Sequence, residues 1–188
     1  MRIALLTTSA VALAIAGCEA DRSNPNSSVG TSVEQANEVT VKIQSWEDTK
    51  KLVASHQGKI VVLDLWSTSC EPCMKEFPNL VALHQKYGND KLVCISVSCD
   101  YEGIPGEPPE SKKEAVLEFL SGSQASFTNI LLSDNSEDVF EYAGIASIPA
   151  VFVYGTDGKL NKRFEVKSRE DFTYEKDIIP LVEKLIED

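Results

Sequence analysis

The stretch Ile60–Tyr87, IVVLDLWSTSCEPCMKEFPNLVALHQKY, constrains the fold more than any other part of the chain. It opens with Ile60–Trp66, a run that is apolar except for Asp64 and reads as a buried strand. Ser67–Ser69 form a short polar turn, and Cys70-Glu71-Pro72-Cys73 follows. Phe77, Leu80, Val81 and Tyr87 then fall near the spacing of one helix face. The two cysteines therefore lie where a strand hands over to the first turn of a helix.

That placement carries chemistry. The first amides of a helix have no internal partner, and the aligned peptide dipoles leave partial positive charge there. A thiolate at this point is stabilised, so Cys70 is expected to ionise readily and to be the attacking sulfur. Cys73, one turn further in, is more shielded and would attack a mixed disulfide on Cys70 to close the ring. Pro72 suits a first helical turn, where a missing N–H is harmless. Two carboxylates are candidates for moving the proton of Cys73. Asp64 is the single charge in its apolar run, and burial would raise its pKa; alternatively, a nearby lysine pairs with it. Glu76 lies three residues after Cys73 and shares its helix face; alternatively, it is a solvated acid of the first turn.

The segment Trp66-Ser67-Thr68-Ser69-Cys70-Glu71-Pro72-Cys73 resembles the active site of thioredoxin-like proteins, in particular the TlpA/ResA group of extracytoplasmic thiol–disulfide oxidoreductases. Met74-Lys75-Glu76-Phe77-Pro78 extends the similarity to ResA-like proteins, which act as reductants in cytochrome c maturation. The resemblance implies that Glu76 is an active-site acid and Pro78 the kink proline of the helix. It also implies that Asp64 matches the buried aspartate of thioredoxin, a position where the ResA-like group often carries an amide. A second segment, Gly144-Ile145-Ala146-Ser147-Ile148-Pro149, is similar to the thioredoxin-family run that ends in a cis proline against the cysteines. A proline opening an apolar strand is otherwise unusual. A cis Ile148–Pro149 bond would expose backbone for an extended substrate. Trp66, Glu71, Pro72, Ile148 and Pro149 are the residues that the resemblance assigns to substrate contact.

The five cysteines divide into one, two and two. Cys94 and Cys99 lie along one strand, about 16 Å apart if extended, too far to bond each other. Cys94 reads as a small buried apolar residue. Cys99 falls at the strand end, on the edge where the dithiol is expected. A second function class, a zinc module through Cys70, Cys73, Cys94 and Cys99, has loosely suitable spacing, but the second pair needs a turn where a strand is expected. Haem attachment fails because Met74 stands where a histidine is required. A peroxiredoxin-like peroxidase would place a proline and a threonine before the cysteine at other spacings. No metal is expected, and no cofactor beyond a redox-active Cys70–Cys73 disulfide. A formal charge of −11 argues against nucleic acid and against electrostatic adhesion to anionic lipid.

Residues 1–17 read as a secretory signal: Arg2 begins it and Ile3–Ala16 is apolar but too short and too diluted for a membrane span. Leu13-Ala14-Ile15-Ala16-Gly17-Cys18 resembles the bacterial lipobox, which implies lipidation of Cys18. Residues 18–38 are polar and read as a flexible tether. A domain is expected over 39–188, held on the outer side of a bacterial membrane by the lipid.

Within that domain, strands are expected at Val39–Ile43, Lys91–Ser98 and Phe127–Leu132, with a hairpin around Gly155–Gly158 returning through Lys159–Val166. Helices are expected at Trp46–His56 behind a Ser45 cap, at Lys112–Leu120 behind Ser111, from Asn135 or Ser136 to near Gly144, and in the last stretch with Pro180 in its first turn. His84 falls on the apolar phase of the active-site helix and reads as half-buried packing. The Gly- and Pro-rich loop Cys99–Glu110 is a candidate lip over the dithiol or a solvated spacer. Alternating units followed by a hairpin imply an α/β fold: a thioredoxin-like mixed β-sheet flanked by helices on both faces. The function this implies is a thiol–disulfide oxidoreductase. Its expected substrates are disulfide-bearing envelope proteins, apocytochrome c among them, with a membrane thiol donor supplying electrons.

Overall fold

The computed structural model describes residues 38–88, 90–166 and 172–187. The expected signal, Cys18 and nearly all of the expected tether lie outside the described residues. The elements in chain order are β1 (Lys42–Gln44), α1 (Trp46–Ser55), β2 (Ile60–Trp66), α2 (Glu71–Tyr87), β3 (Leu92–Ser98), α3 (Lys113–Gly122), β4 (Thr128–Leu132), α4 (Ser136–Ala143), β5 (Ala150–Tyr154), β6 (Leu160–Glu165) and α5 (Ile179–Glu187).

The strands form one sheet in the order β1-β4-β3-β2-β5-β6. β1, β4, β3 and β2 run parallel, whereas β5 and β6 pair antiparallel. This is the mixed thioredoxin-like sheet that the alternating sequence implies. β2 lies inside it and is buried on both faces at every residue, which explains its unbroken apolar run. Val62 and Trp66 face a core built with Phe77, Leu80, Val116, Leu120, Tyr174 and Val182, so α2, α3 and α5 cover that side. Val61, Leu63 and Leu65 face a second core with Trp46, Val53 and Val139, from α1 and α4.

Local sequence accounts for the ends of several elements. Ser45 Oγ accepts from Asp48 N at 3.1 Å and caps α1 as expected. Asn135 Oδ1 caps α4 by accepting from Glu137 N, and Gly144 closes that helix at φ +67°, where a side chain would be strained.

Two expectations at element ends fail. β1 starts at Lys42, not Val39, because the Thr40 carbonyl is taken by the Asn129 side chain instead of a ladder partner. Ser111 does not cap α3; its hydroxyl donates back to Pro108 O at 2.7 Å within a 3₁₀ turn, Pro109–Lys112. Pro180 sits in the first turn of α5, as expected, but a π-type turn, Tyr174–Ile178, precedes that helix. Proline has no N–H for a carbonyl four residues back and crowds that carbonyl, and the wider turn accommodates both.

Candidate active site

β2 delivers its chain to the carboxyl edge of the sheet, where α/β folds place their sites. Cys70 is the N-cap of α2, and its Sγ accepts from Cys73 N at 3.3 Å. The sulfur thus receives one of the orphan amides of the helix mouth. Cys70 and Cys73 form a disulfide, with S–S 1.95 Å and Cα–Cα 5.3 Å. Cys73 is buried, while Cys70 is half-exposed and flanked by exposed Ser69, Glu71 and Pro72. An incoming sulfur can therefore reach Cys70 and not Cys73.

The turn before Cys70 is fixed by a residue to which the sequence reading assigned no role. Asp100, two residues beyond β3, accepts from Thr68 N at 2.9 Å, from the Thr68 hydroxyl, and from Ser98 Oγ at 2.6 Å. Cys99 N donates to Trp66 O at 2.7 Å, extending the β2–β3 pairing by one step. An acid just past a strand at the carboxyl edge was the signal available in the sequence. The loop from Tyr101 then turns to α4, where Tyr101 O accepts from Ser136 N at 2.9 Å.

Asp64 shares the sheet face of Val62 and Trp66, the face whose core also contains Cys73. It is buried, and Tyr174 Oη donates to its Oδ2 at 2.7 Å. Its neighbour is thus a phenol and not a lysine. Burial, with a lesser contribution from the Glu76 charge, raises its pKa to about 7; the Tyr174 hydrogen bond opposes the rise. Glu76 Oε2 accepts from Tyr174 N at 3.0 Å and from Asn79 Nδ2 at 3.3 Å. Tyr174 therefore touches both candidate acids, one through its side chain and one through its backbone. It lies 110 residues from Asp64, and no spacing rule reaches that far.

Trp66, expected to contact substrate, is fully buried. Its ring packs on Phe119 and Phe77, with centroids 4.7 and 5.1 Å away, in an aromatic layer beneath the site. The alternation of β2 turns this side chain inward, so its part is structural support. Ile148–Pro149 is a cis bond, as the second motif implied. Leu65 pairs with Ala150, so the register sets Pro149 beside Trp66 at the site edge; Pro149 is buried and Ile148 half-buried.

The four-thiol zinc arrangement is not assembled. Cys94 lies in the core under α2 and Cys99 in the core under α1 and α4, on opposite faces of the sheet. Five residues of strand impose that opposition. Burial pushes both thiols well above the usual range. Among the described residues, no group of three or more His, Cys, Asp or Glu could hold a metal ion. His84 is half-buried as expected, its ring 5.1 Å from that of Phe127 and its Nδ1 buried without a hydrogen-bond partner.

A sequence profile of the AhpC/TSA family matches residues 33–163. The chain belongs to that family. Among curated proteins, it is 28% identical over 106 residues to the thiol-disulfide oxidoreductase ResA of Bacillus subtilis, covering 56% of this chain and 52% of the relative. It is 26% identical over 116 residues to the ResA of Geobacillus thermodenitrificans, covering 62% and 60%. The chain thus spans about half to three-fifths of the length of these relatives. Among solved structures, the thioredoxin domain of a thiol-disulfide oxidoreductase from Bacteroides vulgatus is similar at TM-score 0.54 and 22% identity, covering 70% of this chain and 82% of that one. The exposed lipoprotein thioredoxin of Streptococcus pneumoniae is similar at TM-score 0.51 and 22% identity, covering 70% and 89%. These two likenesses are of fold.

Proposed function

We propose that the protein is a thiol–disulfide oxidoreductase that exchanges electrons with cystines of other proteins through Cys70 and Cys73. The observation that carries this is the asymmetry of the pair: a half-exposed sulfur at the mouth of α2 accepting a helix amide, beside a buried one. Cys70 thiolate attacks one sulfur of a substrate cystine; that S–S bond breaks, the other substrate sulfur leaves as a thiolate, and a mixed disulfide forms. Cys73 then gives up its proton and attacks Cys70 Sγ. The Cys70–Cys73 bond forms, the bond to substrate breaks, and the substrate sulfur leaves with the electron pair. Asp64 and Glu76 are the candidate acceptors of the Cys73 proton, and Ile148, Pro149, Glu71 and Pro72 form the rim on which a substrate chain would lie.

The finer reading is a reductase of envelope protein disulfides, apocytochrome c included, fed by a membrane thiol donor. Residues 1–17 would direct export, Cys18 would carry lipid, residues 18–38 would serve as the tether, and residues 39–188 would form the catalytic domain. The envelope, lipid and cytochrome c parts rest on the sequence resemblances at Leu13–Cys18 and Trp66–Pro78, while the names of the ResA relatives support thiol–disulfide exchange. They favour it over a peroxidase, as does the absence of a proline and threonine at peroxidase spacing before Cys70.

The test is a trap in a bacterial host. Cys73→Ser should accumulate covalent complexes that dithiothreitol releases, and Cys70→Ser should form none and lose exchange. An active Cys73→Ser variant that traps nothing would overturn the assignment of roles.

A further inference from the structure

Asp64 and Glu76 are the two candidate acceptors for the proton of Cys73, and a single residue from a distant part of the chain holds them both. The Tyr174 hydroxyl donates to Asp64 Oδ2 at 2.7 Å, and the Tyr174 backbone N–H donates to Glu76 Oε2 at 3.0 Å. Tyr174 is buried in the core that also contains Cys73, Phe77 and Ile178. Thr173 caps the π-type turn by accepting from Lys176 N at 3.2 Å, and Asp177 Oδ2 accepts from Thr173 N at 2.9 Å. The turn is therefore held in place on both sides of Tyr174.

The two contacts do different work. Glu76 Oε2 is already occupied by two N–H donors, Tyr174 N and Asn79 Nδ2, and serves as the anchor that holds the turn to α2. Asp64 accepts the tyrosine O–H from within the buried core. Building on the exchange reading above, we propose that Tyr174 is a positioning residue for the resolving step, orienting Asp64 as the acid that takes the Cys73 proton while Glu76 holds Tyr174 in place. In that step the Cys73 S–H bond breaks and its proton passes to the Asp64 carboxylate. The Cys73 electron pair forms the bond to Cys70 Sγ, and the substrate thiolate departs. The dithiol is oxidised and the substrate cystine reduced, with two electrons transferred.

The tyrosine hydrogen bond favours the ionised form of Asp64, against burial and the Glu76 charge, which favour the neutral form. The titratable groups facing Asp64 are Glu76 on α2, Tyr174 on the π-type turn and Cys94 on β3, while Cys99, one residue past β3, lies on the opposite face of the sheet and feels the Asp64 charge less than that of Asp100. From the paired strand β5, the residue in register is Val151, which does not titrate.

The experiment has two readouts on the full chain. One is the pH dependence of single-turnover resolution of a Cys70 mixed disulfide with a cystine peptide. The other is the carboxyl titration of Asp64 followed by carbon-13 NMR in the oxidised protein. Tyr174→Phe is expected to move both midpoints alkaline by about one pH unit, the loss of one hydrogen bond to a charged group. Replacing Tyr174 with 3-fluorotyrosine keeps the shape and strengthens the donor, so it should move both midpoints towards acid even if Tyr174→Phe does not fold. In an Asp64→Asn background, Tyr174→Phe should leave the resolution profile where it was. A profile for either Tyr174 replacement that overlays the wild type, or a shift that persists without Asp64, overturns the proposal. A wild-type protein that does not exchange disulfides at all would instead overturn the exchange reading, and the NMR titration would still decide whether Tyr174 sets Asp64.

Discussion

Asp64→Asn should stabilise the protein at neutral pH and leave it nearly unchanged in acid. The substitution preserves shape, and the amide oxygen can still accept from the Tyr174 hydroxyl. What it removes is a titration. Burial lifts Asp64 from an ordinary 3.8 to about 7 in the folded protein, whereas the unfolded chain returns it to the ordinary value. Below pH 4 both states hold the proton, and the group contributes nothing to the pH dependence of folding. Between pH 4 and 7 the unfolded state ionises first, so stability falls as pH rises. Above pH 7 both states are ionised, and the folded state carries the full penalty of a buried charge. A rise from 3.8 to about 7 corresponds to about 4 kcal/mol. At a urea dependence of about 2 kcal/mol per molar, the midpoint difference between Asp64→Asn and wild type should grow by about 2 M from pH 4 to pH 8. Urea titrations of both oxidised proteins at half-unit steps would measure this, and the other acids cancel in the difference. A gap that stays constant within about 1 kcal/mol across that range would refute the claim that desolvation governs this carboxyl.

Glu76→Gln should let Asp64 titrate at lower pH, since the negative neighbour that raises it is gone; NMR titration of Asp64 reads this directly. Phe77→Ala should destabilise the fold by about 3–5 kcal/mol, because Phe77 is fully buried between Trp66 and Phe119, and urea denaturation checks it. Asp100→Ala removes the carboxylate that accepts from Thr68 and Ser98; it should lower stability by about 1–3 kcal/mol and slow exchange at Cys70, measured by denaturation and by alkylation rate. In the native oxidised protein, Cys94 and Cys99 should resist a thiol reagent and then react together in denaturant, as their burial requires.

Short-range pattern made much of the molecule legible. The strand of β2, the mouth of α2 with Cys70 at its cap, the Ser45 cap and the left-handed Gly144 all follow from neighbours within a turn or two. The inward placement of Trp66 did not, because a motif specifies which residue stands at a position and not which side of a pleated strand it faces. The zinc spacing failed for the same reason: Cys94 and Cys99 look close in sequence and bury on opposite faces of one strand.

The amino-acid order alone determined the dithiol, its seat at a helix start and the alternating units that build a mixed sheet, because each depends on backbone propensity and period over a few residues. Only the folded chain decided the company those sulfurs keep. Asp100 reaches Thr68 across 32 positions and Tyr174 reaches Asp64 across 110. Contacts of that span are set by how layers pack against the sheet, and no local rule encodes them.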